Sequence, residues 1–184
     1  LIERFIKGDK KAFDEIVERY KDMVFRVVYR MLGDRTEALD VSQEVFLKLY
    51  GSLKDFRFES RFSTYLYRMS INFAKNRLKT MATRRKRHVS LETPVNSESA
   101  TDHREHIADE RPDPREAAAS HELRDIVWEA IGQLSEEHRE ILILREFESM
   151  SYDAIAQVLL LDPGTVKSRL SRARRALKEI LEKK

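Results

Sequence analysis

The chain has 184 residues, which suits one large domain or two small ones. It is 36% charged and 41% hydrophobic, with a formal net charge of +3, so the placement of charge informs more than its sum. There is no cysteine, which excludes a disulfide framework, a thiolate metal site and a cysteine nucleophile and fits a reducing cytoplasm. No apolar run approaches the ~18 residues of a membrane span, and only 5 Gly and 4 Pro favour an all-helical chain.

Residues 1–7 make a short amphipathic start, broken by Gly8. Asp9 is placed to cap a second helix. Its stripe of Ala12, Phe13, Ile16, Val17, Tyr20, Met23, Val24, Val27, Val28, Met31 and Leu32 runs to Gly33, a C-terminal stop. Asp34 and Glu37 are spaced as a capping box, with aspartate in place of Ser or Thr. The helix after them reaches about residue 53. Ala38, Val41, Val45, Phe46 and Leu49 face a core, and Asp40, Gln43, Glu44 and Lys48 lie outside, where spacing alone predicts plain solvation.

Residues 55–63, D-F-R-F-E-S-R-F-S, have no helical period. Phe56, Phe58 and Phe62 alternate with Arg57 and Arg61. That mixture suits unstacked bases, because rings stack on bases and guanidiniums neutralise phosphate. The alternative is that the rings anchor the loop to the core. A helix is expected over 64–81, with Leu66, Ile71, Ala74 and Leu78 inward. Tyr65, Arg68, Asn72, Lys75, Asn76 and Lys79 share an outer face able to contact base edges or phosphates, or simply water.

Arg84, Arg85, Lys86 and Arg87 close a first domain over 1–88. Residues 89–117, rich in Ser, Thr, Pro and acid, read as a flexible acidic linker. His103 and His106 lie there beside Asp102, Glu105 and Asp109. Without a rigid frame they read as solvated, so no metal or other cofactor is expected.

The second domain covers 118–184. Leu123, Ile126, Val127, Ala130, Ile131 and Leu134 form a clean stripe with Trp128 beside it, Ser135 restarts helix, and Ile141, Leu142 and Leu144 are core. Residues 151–177 then read as a helix-turn-helix. Tyr152, Ile155, Ala156 and Leu159 line the first helix, Leu160 and Leu161 make the turn, Asp162 caps the second helix and Pro163 opens it. Val166, Leu170, Ala173 and Leu177 share one face; Thr165, Ser168, Ser171, Arg172 and Arg175 share another. Between 163 and 178 stand Lys167, Arg169, Arg172, Arg174, Arg175 and Lys178, with no acid. A merely solvated helix mixes signs; hydroxyls and guanidiniums above an apolar seam suit the major groove.

The expected fold is all-α: two small helical domains joined by a flexible acidic linker, the C-terminal one containing the helix-turn-helix. No convergent carboxylate or histidine site appears on a rigid element, so a nuclease-like enzyme is disfavoured and no catalytic residue is assigned. A stand-alone helix-turn-helix regulator remains the alternative; it has no need of the aromatic loop.

Three segments carry a resemblance to a known family. They are E-A-L-D-V-S-Q-E-V-F-L-K-L-Y at 37–50, F-S-T-Y-L at 62–66 and G-T-V-K-S-R-L-S-R-A-R-R at 164–175. Together they resemble the sigma factors of bacterial RNA polymerase, in the small two-domain extracytoplasmic-function group. The resemblance implies a cytoplasmic promoter-recognition subunit. Its partners would be polymerase core (the clamp helices of the largest subunit, and the flap), promoter DNA and an anti-sigma factor, with no membrane insertion. It makes Leu39, Asp40, Gln43 and Glu44 the core-docking face. It assigns Phe56, Arg57, Phe58, Arg61, Phe62, Tyr65, Arg68, Asn72, Lys75, Asn76 and Lys79 to the opened minus-ten strand. Thr165, Lys167, Ser168, Arg169, Ser171, Arg172, Arg174 and Arg175 fall to the minus-thirty-five duplex, with Ser168, Ser171 and Arg172 on bases and Lys167, Arg169 and Arg174 on phosphates. The sequence departs from the family pattern in four places. Arg68 and Met69 stand where housekeeping members pair tryptophans, and Asn76 replaces an aspartate. Leu160 occupies a turn-glycine position, where a left-handed leucine is strained, and Pro163 lies one place late.

Overall fold

The computed structural model describes residues 1–89 and 114–183. In chain order the helices are α1 (Ile2–Ile6), α2 (Lys11–Leu32), α3 (Arg35–Ser52), α4 (Phe62–Val89), α5 (Pro114–Gln133), α6 (Glu136–Leu142), α7 (Tyr152–Leu159) and α8 (Pro163–Leu181). A 3-10 turn, Leu53–Asp55, follows α3, and a π-helical turn, Ile143–Phe147, extends α6. There is no strand among the described residues.

The N-terminal domain packs α2, α3 and α4 on one another. Their apolar stripes meet at Ile16, Val24, Val27, Met31, Val41, Val45, Leu49, Leu66 and Ile71, each at most 2% exposed. The boundaries follow from the backbone's need for partners at helix ends. Gly33 ends α2 at φ 75°, a left-handed value that glycine adopts without strain. The Asp34 carboxylate caps α3, accepting from Glu37 N at 2.8 Å. Asp9 does not cap α2: its carboxylate is taken by the Arg4 guanidinium at 2.7 Å.

In the C-terminal domain α8 packs against α5, α6 and α7 through Val166, Leu170 and Ala173. Ser135 and Ser151 cap α6 and α7 through His138 N and Ala154 N. Asp162 sits at the N-cap of α8 with Pro163 behind it, but its side chain makes no capping bond. Leu123, expected in the core, is 64% exposed at the outer end of the α5 stripe.

Two helices overrun the expected bounds. No Gly or Pro interrupts the chain from 62 to 89, and the basic run consists of good helix formers, so α4 continues to Val89 instead of stopping near 81. At the other end α5 begins at Pro114, inside the segment expected to be linker, with proline at a helix start. The remainder of that linker, with His103 and His106, lies outside the described residues. Apolar packing is continuous from one domain to the other.

Candidate nucleic-acid interface

The helix-turn-helix places α8 with its apolar seam on the domain and its opposite face outward. Ser168, Ser171, Arg172 and Arg175 lie on that outer face, and all are exposed; Lys167 and Arg174 flank it, also exposed, and Thr165 is half-buried. Local bonds order the surface: Ser168 Oγ donates to Thr165 O at 3.0 Å and Arg172 Nε to Ser168 O at 3.3 Å. Two of the arginines expected on phosphates hold protein carboxylates here. Arg174 forks onto Glu146 Oε1 at 2.6 and 3.0 Å. Arg169 lies 3.4 Å from Glu137 and 3.6 Å from Glu140.

The turn before α8 contains the strained leucine that the sequence demands: Leu160 sits at φ 56°, ψ 49° and is 72% exposed. Its side chain projects into solvent, where no packing offsets the conformation.

On α4, Asn72, Asn76 and Lys79 are exposed on one face. Arg68 and Lys75 belong to that face by periodicity but point into the C-terminal domain. Arg68 donates to the Gln157 and Val158 carbonyls at 2.6 and 3.3 Å, and Lys75 Nζ lies 2.9 Å from Glu140 Oε2. The aromatic loop divides its labour. The Phe56 ring packs against Phe58, Phe62 and Tyr65 with centroids 4.9, 5.8 and 5.3 Å away. The Tyr65 hydroxyl shares a 3.1 Å hydrogen bond with Ser52 Oγ. Phe58 is the ring on offer: it is 54% exposed, at φ 57°. Arg57 and Arg61 are exposed beside it.

Leu39, Asp40, Gln43 and Glu44 are all exposed on α3. Leu39 and Gln43 border an apolar groove of about 650 Å³ between α2 and α3, with Phe25, Phe46, Leu47 and Tyr50 among its walls. Leu47 is 74% exposed and Tyr50 44%, so the groove is open and apolar. Glu44 shares Arg77 of α4 with Glu37, which ties α3 to α4.

Sequence reasoning missed the buried charges. Glu148 binds Arg30 and Tyr67, and Arg139 donates to four backbone carbonyls. Burial, and then the bond to Glu148, pushes the Tyr67 hydroxyl well above its ordinary range, so it remains a donor. Spacing gives no hint of these contacts, because Arg30 and Arg139 read like any other polar helix residue, Glu148 lies in the bend after the π-helical turn, and backbone acceptors leave no mark in the sequence. Among the described residues no group of acids and histidines is arranged to hold a metal, and no helix is long and apolar enough to cross a membrane.

Comparison with known proteins fits this geometry. The sequence matches the family profile of Sigma-70 region 2 over residues 16–85 and that of Sigma-70, region 4 over residues 124–177. It is 39% identical over 183 residues to the RNA polymerase sigma-H factor of Pseudomonas aeruginosa, covering 99% of this chain and 92% of that protein. To the ECF RNA polymerase sigma factor SigW of Bacillus subtilis it is 34% identical over 181 residues, covering 98% and 94%. Its fold is similar to that in the structure of CnrH in complex with the cytosolic domain of CnrY, with a TM-score of 0.67, 22% identity, and 98% and 94% of the two chains covered. The protein belongs to the sigma-70 family, in its extracytoplasmic-function group, and is a non-enzymatic sigma factor that directs promoter-specific transcription initiation.

Proposed function

We propose that three surfaces divide the work. The α3 face with Leu39, Asp40, Gln43 and Glu44, together with the adjoining groove, docks on the clamp helices of polymerase core. The 56–62 loop and α4 take the opened non-template strand at the minus-ten element. The outer face of α8 reads the minus-thirty-five duplex. The observation that carries this reading is the coexistence of two separate helical faces bearing cations, amides and hydroxyls with an uncovered apolar groove on a third helix. The open apolar groove suits the apolar face of an amphipathic helical partner. Capturing a flipped base on an exposed ring returns about 1–3 kcal/mol by stacking, against a few kcal/mol for unstacking. Phe58 is the ring best placed to supply it.

Such a protein works in the cytoplasm, where polymerase and promoters are. An anti-sigma factor is its natural antagonist, since relatives of this fold appear in solved complexes of CnrH with the cytosolic domain of CnrY and of RpoE with the anti-sigma factor NepR from Bartonella quintana. The test is run-off transcription with purified polymerase core on a promoter library, with and without the chain. Specific initiation dependent on the chain is expected, and its absence would sink the reading. Asp40→Ala with Gln43→Ala should abolish core binding while leaving the helical melt unchanged; wild-type core affinity would remove the docking assignment.

A further inference from the structure

Arg77 of α4 forks between two carboxylates of α3. Its Nη1 donates to Glu37 Oε2, and its Nη2 donates to Glu44 Oε1 at 2.7 Å. Glu37 and Glu44 are two helical turns apart, about 10.5 Å of rise, so both side chains lean along α3 to meet one guanidinium. Exposure grows along the fork. The Arg77 side chain is 18% exposed and that of Glu37 24%, whereas that of Glu44 is 49% exposed. Glu44 is therefore the outer end. Its Oε1 is taken by Arg77, and its Oε2 has no hydrogen-bond partner among the described residues.

A tie between helices does not account for the whole arrangement. α3 and α4 already meet through buried Val45, Leu49, Leu66 and Ala74, and an ion pair open to water adds little to stability. One carboxylate would neutralise a tying arginine. The second changes the charge: one cation between two carboxylates leaves one negative charge uncancelled. Glu44 is thus held in place while the α3 face stays acidic. Glu37 is diverted to this end, since its carboxylate goes to Arg77 and only the Asp34 half of the capping box is made. A glutamate left unheld on an exposed helix face samples several rotamers and must be ordered when a partner arrives.

We propose that Arg77 is a positioning residue for core docking: it fixes the Glu44 carboxylate before polymerase arrives, with Glu37 as counter-charge, so that Glu44 Oε2 is presented to a hydrogen-bond donor on the core. The inference rests on the assignment of Glu44 to the docking face made above. Arg77 itself does not touch the partner. It acts through Glu44, and its contribution to binding exists only while Glu44 is there to be held.

The test is a double-mutant cycle in affinity for purified polymerase core, measured by competition of the full-length chain against fluorescently labelled parent. Arg77→Met keeps much of the aliphatic length and removes the fork; Glu44→Ala removes the group through which Arg77 acts. Arg77→Met should weaken core binding about three- to tenfold, the cost of ordering one long side chain at an interface. In the Glu44→Ala background the same substitution should change affinity by less than about twofold. Arg77→Lys keeps the charge without the fork and should fall between parent and Arg77→Met. Glu37→Gln keeps a hydrogen-bond acceptor but lets Arg77 cancel Glu44, so it should weaken core binding at low salt and less at high salt. Circular dichroism checks folding at the assay temperature; if Arg77→Met is unfolded, Arg77→Lys takes its place in the cycle. Parent-like affinity in Arg77→Met, or an equal loss in both backgrounds, overturns the positioning role, and no loss in Glu37→Gln at low salt overturns the counter-charge. Parent-like affinity in Glu44→Ala overturns the docking assignment beneath it instead.

Discussion

Replacing Arg139 by methionine probes the strongest buried polar cluster in the C-terminal domain. The residue is 8% exposed, and its guanidinium donates to Ile131 O at 3.2 Å, Gly132 O at 2.5 Å, Leu134 O at 3.2 Å and, across the domains, Met31 O at 2.7 Å. Three of these carbonyls belong to the end of α5 and the turn after it, where the regular helical ladder runs out; Ile131 O accepts from Leu134 N as well. Methionine keeps much of the aliphatic volume and donates nothing. At about 1.5–3 kcal/mol per bond to a charged group, the three bonds inside the domain sum to about 4.5–9 kcal/mol. Two effects reduce that figure. Burial holds the Arg139 guanidinium below its ordinary pKa, so the native state already bears a desolvation penalty. Gly132 is exposed, so water can replace one bond. A net loss of about 2–4 kcal/mol remains, comparable to other broken buried networks. Urea unfolding followed by far-ultraviolet circular dichroism would show it as a lower midpoint at constant slope. A loss under about 0.5 kcal/mol would refute the claim that these bonds hold α5 to α6.

Four further outcomes follow from the structure. Asp34→Ala removes the cap on Glu37 N and should cost about 1 kcal/mol in the same unfolding assay. Leu160→Gly relieves a left-handed residue, about 1–2 kcal/mol, and gives back about 0.5–1 kcal/mol in unfolded-state entropy; a thermal melt should therefore rise slightly, and a fall would count against the strain. Burial raises the Glu140 carboxyl above the usual range despite Lys75 and Arg169. Its contribution to stability is therefore present below the unfolded pKa and is lost as pH rises through the folded one. Measured at a series of pH values from about 4 upward, the stability of the parent relative to Glu140→Gln should fall with rising pH; a gap moving the other way would refute this. Arg172→Ala should lose about 1–3 kcal/mol of duplex affinity at one upstream base position, whereas a uniform loss across sequences would make it a phosphate contact.

The helices were legible because their apolar stripes are long and regular, as in α2 and α8, and because Gly33 and Asp34 punctuate the chain with unambiguous chemistry. Leu160 was legible too, since the turn demands a left-handed residue whatever occupies it. Asp9 and Asp162 were not: a capping residue type states a capacity, and Arg4 or plain solvent can claim the carboxylate first. Among the candidate site residues, spacing put Arg68 and Lys75 on the outward face of α4. It could not reveal that the C-terminal domain lies against that face, because the contact depends on groups such as Glu140, Glu148 and Arg139 that read as ordinary surface charge.

Trp128 is the chain's lone tryptophan, and its ring stacks on Phe147 at 4.7 Å, while Arg30 of the opposite domain rests over that same phenylalanine at 4.8 Å. The isolated protein thus contains its own optical gauge at the seam. Any event that lifts α2 from Phe147 changes the polarity around the indole, so emission colour reports association of the halves without a dye or a tag.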